Sequence, residues 1–107
     1  MEECTKCKRP YFRDFIVRNP KNKAKEHKTG RKCDDPRCRG YLKDTIINFG
    51  ENLRERNLSG GWKASSHADL MVSMGSSLRV SPANNMVEMA GRYGNVCIVN
   101  LQKTHIT

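Results

Sequence analysis

The chain has 107 residues, with 20 Lys+Arg against 11 Asp+Glu and a formal charge of +9 at neutral pH. At that length it is one small domain or part of a larger one, and 36% hydrophobic with 7% aromatic residues leaves little from which to build a core. No run approaches the roughly 18 consecutive apolar residues of a membrane span, and the acidic start Met1-Glu2-Glu3-Cys4 is unlike a secretory signal, so an intracellular chain with no membrane partner is expected.

Charge and cysteine divide the sequence. Residues 1–43 carry 14 Lys+Arg and 6 Asp+Glu, a balance of +8, whereas residues 44–107 carry 6 and 5, a balance of +1. Four of the five cysteines also fall in the first piece. Two domains are expected on this ground, a zinc-binding module over 1–43 and an α/β region over 44–107.

Cys4 and Cys7 form a C-x2-C pair, 25 residues separate them from the next, and Cys33 and Cys38 form a C-x4-C pair. Two close pairs across a long loop can complete a tetrahedral shell of four sulfurs around one Zn²⁺, with no open position, so the ion would be structural. Asp35-Pro36 supplies the turn that the wider second pair needs. Disulfides fit poorly with the missing secretory signal, and free thiols would leave the piece little to fold around. Between the pairs, Tyr11, Phe12, Phe15, Ile16 and Val17 are read as a short strand, and Arg18 to Lys32 as a solvated loop. That loop holds Lys21, Lys23, Lys25, Lys28, Arg31 and Lys32, either a phosphate-binding surface for DNA or RNA or a charged loop kept soluble by its own repulsion. His27 is expected to be an exposed polar residue. Four thiolates around Zn²⁺ would lower the charge of this piece to about +6.

In the second piece the β-branched run Thr45-Ile46-Ile47-Asn48-Phe49 ending at Gly50 is read as a strand, and Ser59 as the cap of a short helix through Trp62 to His67. Leu70 to Met74 reads as a buried strand. Ser81-Pro82 suits a helix start, with serine as N-cap and proline at the first helical position, and Met86, Val87, Met89 and Ala90 give the helix an apolar face before Gly91 and Gly94. A last strand runs from Val96 to Leu101. Strand, helix and strand make a βαβ unit with a right-handed crossover and parallel strands, so a ligand would lie beyond their carboxyl ends. Gly75-Ser76-Ser77 and Asn100 with Gln102 occupy those ends and could bond a phosphate, ribose or adenine edge, or be plain loop residues. Met71, Met74, Met86 and Met89 are read as packing, and Cys97 as a small buried hydrophobe. No P-loop, Gly-x-Gly-x-x-Gly or general base is visible, and His67 and His105 stand isolated.

Taken in order, "CTKCKRPYFRD", the basic loop, the second cysteine pair, "LKDTIINFGENL", "ADLMVSMGSSLRVSPANNM" and "VCIVNLQKT" resemble the sirtuins, NAD-dependent protein lysine deacylases, and look most like their nuclear, chromatin-associated branch. The resemblance covers Cys4 to Thr104. It implies a structural zinc on Cys4, Cys7, Cys33 and Cys38 in a zinc-ribbon-like module, joined to the C-terminal part of a Rossmann-like parallel sheet. It places Gly75, Ser76 and Ser77 against NAD, puts Asn100, Leu101 and Gln102 against its adenosine part, and makes Asn48 to Leu53 the segment that pairs with an acyl-lysine peptide by β-augmentation. Arg54 stands where many members have proline, so that segment could be shaped differently. An acylated-lysine protein such as histone is the implied partner, and the nucleus the implied location. The family's glycine-rich NAD loop, Thr-Gln-Asn-x-Asp segment and catalytic histidine precede the first cysteine pair, so a truncated form, inactive alone, is expected. The alternative is a stand-alone zinc-stabilised module that contacts nucleic acid or chromatin through its basic loop.

Overall fold

The computed structural model describes residues 1–23 and 26–106; Lys25 of the basic loop lies outside them. The chain packs as two units, Met1–Asn52 and Leu53–Thr107.

The first unit is a four-stranded antiparallel sheet in the order β2-β1-β4-β3, built from β1 (Glu2–Cys4), β2 (Pro10–Tyr11), β3 (Lys28–Lys32) and β4 (Tyr41–Asp44). Its apolar core is small: Cys4, Cys33 and Leu42 are buried, with Tyr11 and Cys38 packed against them. A second centre is ionic. Glu2 has no exposed surface, and its carboxylate accepts hydrogen bonds from Arg13 Nε at 2.8 Å and Arg31 Nε at 2.7 Å. Arg31 also donates to the Val17 carbonyl, and both guanidiniums lie over the Phe15 ring.

These contacts correct two expectations. The strand expected over Tyr11–Val17 stops at Tyr11, because Arg13 and the Val17 carbonyl are drawn to the Glu2–Arg31 pair instead of a ladder. The stretch expected to be a solvated loop up to Lys32 instead ends in β3, which pairs with β4 through Lys28↔Lys43 and Lys32↔Tyr41. Tyr41 takes both Lys28 and Lys32 over its ring, so this basic tract does have an aromatic partner.

The strand expected over Thr45–Phe49 lies earlier, at Tyr41–Asp44. Strand pairing ends where the Asp44 carboxylate turns back to accept the Ile46 amide, and Gly50 adopts a positive φ of 83°.

In the second unit, α1 (Glu55–Ser66), β5 (Leu70–Met74), α2 (Ala83–Tyr93) and β6 (Asn95–Val99) follow in order. β5 and β6 are parallel, with Met71 opposite Val96 and Ser73 opposite Ile98, so the expected βαβ unit is present. Gly94 closes α2 where any Cβ would strike the carbonyls of Ala68 and Asp69, which explains a glycine at this crossing. Helix α1 starts four residues before Ser59, so Ser59 is no cap and instead donates to the Arg56 carbonyl. Helix α2 starts after Pro82, with no side-chain cap bond and the Ser81 hydroxyl on Asn84.

The faces of this sheet differ from the expectation of full burial. Met71, Ser73, Val96 and Ile98 are covered, while Leu70, Val72, Met74, Cys97 and Val99 share the other, exposed face. Cys97 and Met74 are therefore exposed, not part of this unit's buried core. The period of two puts Cys97 beside Val72, opposite the face that α2 covers. No helix among the described residues is long and apolar enough to cross a membrane.

The Glu2 cluster gives a stability prediction. Burial raises the Glu2 carboxyl, but bonds from Arg31, Thr29 and Arg13 outweigh it and leave the group at about 2, against an ordinary 4.5. A depressed folded value stabilises fully above about pH 4.5, and that contribution is lost as pH falls towards about 2. Replacing Glu2 by Ala strands two cations and should cost about 3 kcal/mol, read as a lower urea midpoint for the zinc-loaded variant than for the wild type at neutral pH, where the thiolates keep the metal.

Candidate metal centre and nucleotide cavity

The cysteine pairs come together as the spacing requires. One ligand sulfur from each of Cys4, Cys7, Cys33 and Cys38 lies within 4.8 Å of all the others, the Cys4–Cys38 sulfurs being 3.6 Å apart and the Cys7–Cys33 sulfurs 3.7 Å. Zinc–sulfur bonds of about 2.3 Å in a tetrahedron place neighbouring sulfurs about 3.8 Å apart, so the cluster has the size of a ZnS₄ site.

Local backbone explains the convergence. The Cys4–Cys7 turn aims the amides of Lys6 and Cys7 at Cys4 Sγ, both at 3.4 Å, and Lys8 takes a positive φ of 63° to leave the turn. In the second pair, the amides of Cys38 and Arg39 bond to the Asp35 carbonyl, and Arg39 takes a positive φ of 47°. Gly40 then passes so close that a Cβ would lie 2.6 Å from Cys4 Sγ and 2.8 Å from Lys6 Cβ. The Tyr11 hydroxyl accepts the Asp34 amide and lies 3.0 Å from Cys33 Sγ. Neither Gly40 nor Tyr11 was visible as part of the site from cysteine spacing, although a glycine two residues beyond Cys38 is the signal of a chain doubling back.

Electrostatics call for a cation here. Burial raises the Cys4 thiol, yet the amides of Cys7 and Lys6 bring it down to about 6. Cys7 is lowered by the Arg9 amide, but burial and the neighbouring sulfurs of Cys38, Cys4 and Cys33 carry it up to about 11. Four crowded sulfurs cannot all ionise against one another, and a divalent ion removes that conflict. The four-sulfur donor set and its spacing, with no fifth ligand grouped with them among the described residues, fit a structural Zn²⁺.

The second unit holds a cavity of about 370 Å³ beyond the carboxyl ends of β5 and β6, lined by Ser77, Arg79, Asn100, Gln102, Lys103, Thr104 and His105. Of the residues expected at a nucleotide, Ser77, Asn100 and Gln102 are brought together here, and Asn100 Nδ2 donates to the Gln102 carbonyl at 2.9 Å. Leu101 lines an adjoining concavity with Val96 and Ile98. Gly75 and Ser76 lie outside both linings: the Gly75 amide bonds the Val99 carbonyl, and Ser76 Oγ accepts the Leu78 amide. His105, isolated in the sequence, meets Arg79 and Lys103 in this cavity, so its lining carries positive side chains and no carboxylate. Small polar groups at the ends of parallel strands, facing cations, suit a phosphate-bearing ligand.

A four-cysteine ribbon in one unit and a parallel βαβ unit with a polar cavity at its strand ends in the other define a zinc-bearing α/β protein of nucleotide-binding type. Residues 1–82 match the Sir2 family, and the chain belongs to it. It is 36% identical to NAD-dependent protein deacetylase SRT1 of Arabidopsis thaliana over 105 residues, covering 97% of this chain and 21% of that protein. It is 35% identical to NAD-dependent protein deacetylase sirtuin-7 of Homo sapiens over 113 residues, covering 97% of this chain and 28% of that one. A solved structure described as Sir2 bound to acetylated peptide superposes with a TM-score of 0.66 at 31% identity, over 97% of this chain and 41% of that one. The chain thus spans about a fifth of the length of the Arabidopsis relative.

Zinc removal should act locally. One zinc per chain is expected by elemental analysis, and chelation should abolish amide protection in residues 1–52 while the helical signal of α1 and α2 persists. Gly40→Ala should reduce zinc affinity by at least about tenfold, since a methyl group must displace Cys4 or Lys6; competition with a chromogenic chelator reads this directly.

Proposed function

We propose that this chain serves NAD-dependent protein lysine deacylation, transfer of an acyl group from lysine to ADP-ribose, by supplying a structural zinc module and part of the NAD site. The observation that carries the reading is the cavity that Ser77, Asn100 and Gln102 line together with Arg79, Lys103 and His105. Bound NAD supplies the ADP-ribose acceptor. Asn100 and Gln102 would hold its adenosine part and Ser77 its phosphate or ribose hydroxyls, with Gly75, Ser76 and Leu101 completing the contact. Cys4, Cys7, Cys33 and Cys38 hold zinc and take no part in the chemistry, because a closed four-sulfur shell leaves no position for a reactant. The functional boundary is assigned near residue 43, between the zinc-binding module and the NAD-facing region of residues 44–107.

The proposed partner is an acyl-lysine segment of a protein such as histone, docking along residues 48–53. This is supported by exposed Ile46, Ile47 and Phe49 beside that segment and by relatives solved with acetylated peptide. Nuclear location and chromatin contact through the basic first unit are part of the same reading, supported by the likeness to the nuclear branch and by the +8 of residues 1–43.

Titration of the zinc-loaded ¹⁵N chain with NAD tests the assignment. Amides of Ser77, Asn100 and Gln102 should shift together, and Asn100→Ala should weaken binding about tenfold, the worth of a lost polar contact to a ligand. No shift at millimolar NAD contradicts the reading. With an acetylated histone peptide added, no turnover by this chain alone is expected, and turnover that survives removal of contaminating enzyme contradicts that part.

A further inference from the structure

His27 was expected to be an exposed polar residue, yet its ring lies between two carboxylates. Nδ1 is 2.7 Å from Asp44 Oδ1 and Nε2 is 2.7 Å from Glu51 Oε2, with the Asp44 side chain 2% exposed. A neutral imidazole has a single N–H, so two such contacts to acceptors require the doubly protonated ring. The same carboxylates hold the chain between them: Asp44 Oδ1 accepts the Ile46 amide at 3.1 Å, and Glu51 Oε1 accepts the Asn48 amide at 2.8 Å. The His27 carbonyl also takes the Asp44 amide at 2.8 Å. One imidazolium therefore fastens both ends of a loop whose Ile46, Ile47 and Phe49 are 43%, 43% and 88% exposed.

We propose that His27 is a positioning residue for this loop: protonated, it sets the spacing of Asp44 and Glu51 and so presents Ile46, Ile47 and Phe49 to the acyl-lysine peptide, and on losing its proton it releases the Glu51 end. The peptide role rests on the reading of the preceding subsection; the clamp does not. Bonds from Glu51 and then Asp44 raise the His27 pKa above its ordinary 6.5. A raised folded value means the clamp is complete below about pH 6.5 and is lost as pH rises through the folded pKa. The charged groups against the ring are Asp44 from β4 and Glu51 from the loop, with Lys28 and Lys43 paired across the adjoining strands and Glu26 just before it in the chain.

The test uses the zinc-loaded ¹⁵N chain as wild type, His27→Ala and His27→Gln, each checked for one bound zinc. In wild type the His27 ring should titrate above 6.5, and the Asn48 amide on Glu51 should lose protection relative to its intrinsic exchange rate once it has done so, while the Ile46 amide on Asp44 changes less. Acetyl-lysine peptide affinity, read from loop amide shifts, should fall about tenfold in His27→Ala and by a similar factor in wild type above the ring pKa. His27→Gln, neutral but able to donate, should give intermediate affinity without pH dependence. Equal peptide affinity and pH profile in wild type and variants would overturn the proposal. If no variant and no pH gives peptide binding, the docking reading fails and takes the peptide role with it. That outcome is recognisable because the protection of Asn48 still follows the His27 titration.

Discussion

Four sulfurs drawn to within 4.8 Å of one another are the constraint on which the first unit depends. Two of them, Cys4 and Cys33, also form its buried apolar cluster together with Leu42, with Tyr11 and Cys38 packed against it. A metal-free cluster would set like charges against one another at its centre, while a Zn²⁺ turns the same atoms into four short bonds. The unit has little else: β1 has three residues and β2 two, far below what strand pairing alone sustains. Turn geometry at Cys4–Cys7, the Asp35 carbonyl under Cys38 and the bare Cα of Gly40 all serve to bring sulfur to one point.

Around that point the remaining stability is ionic. Glu2 gathers Arg13 and Arg31, and His27 gathers Asp44 and Glu51, so two of the long connections are held by charged hydrogen bonds. This resolves the apparent shortage of hydrophobic residues in the opening composition. The +8 of the first piece is not all free charge, since Arg13 and Arg31 are committed to a buried carboxylate and Lys28 and Lys32 rest on Tyr41.

How much of this the sequence disclosed depended on the range of each interaction. Cysteine spacing is a local signal that favoured zinc over disulfides or free thiols, and the parallel pairing of Leu70–Met74 with Asn95–Val99 followed from an apolar run, a helix and a second apolar run. The strand placed at Thr45–Phe49 failed because β-branched content marks a surface that can pair, whereas Asp44 and His27 decide where pairing stops. Cys97 was read as buried because it alternates within an apolar strand, and in this chain that alternation places it on the face opposite α2. Of the candidate site, the cysteines, Ser77, Asn100 and Gln102 were legible. Gly40, Tyr11, Arg79 and His105 were not, since each joins its site through a fold-dependent contact.

The zinc-bound sulfur shell is tested most directly by X-ray absorption at the zinc edge of the purified chain. Four sulfur scatterers at about 2.3 Å are expected, with no nitrogen or oxygen bound to the metal. A shell with fewer than four sulfurs, or with an oxygen or nitrogen ligand among them, would contradict this expectation.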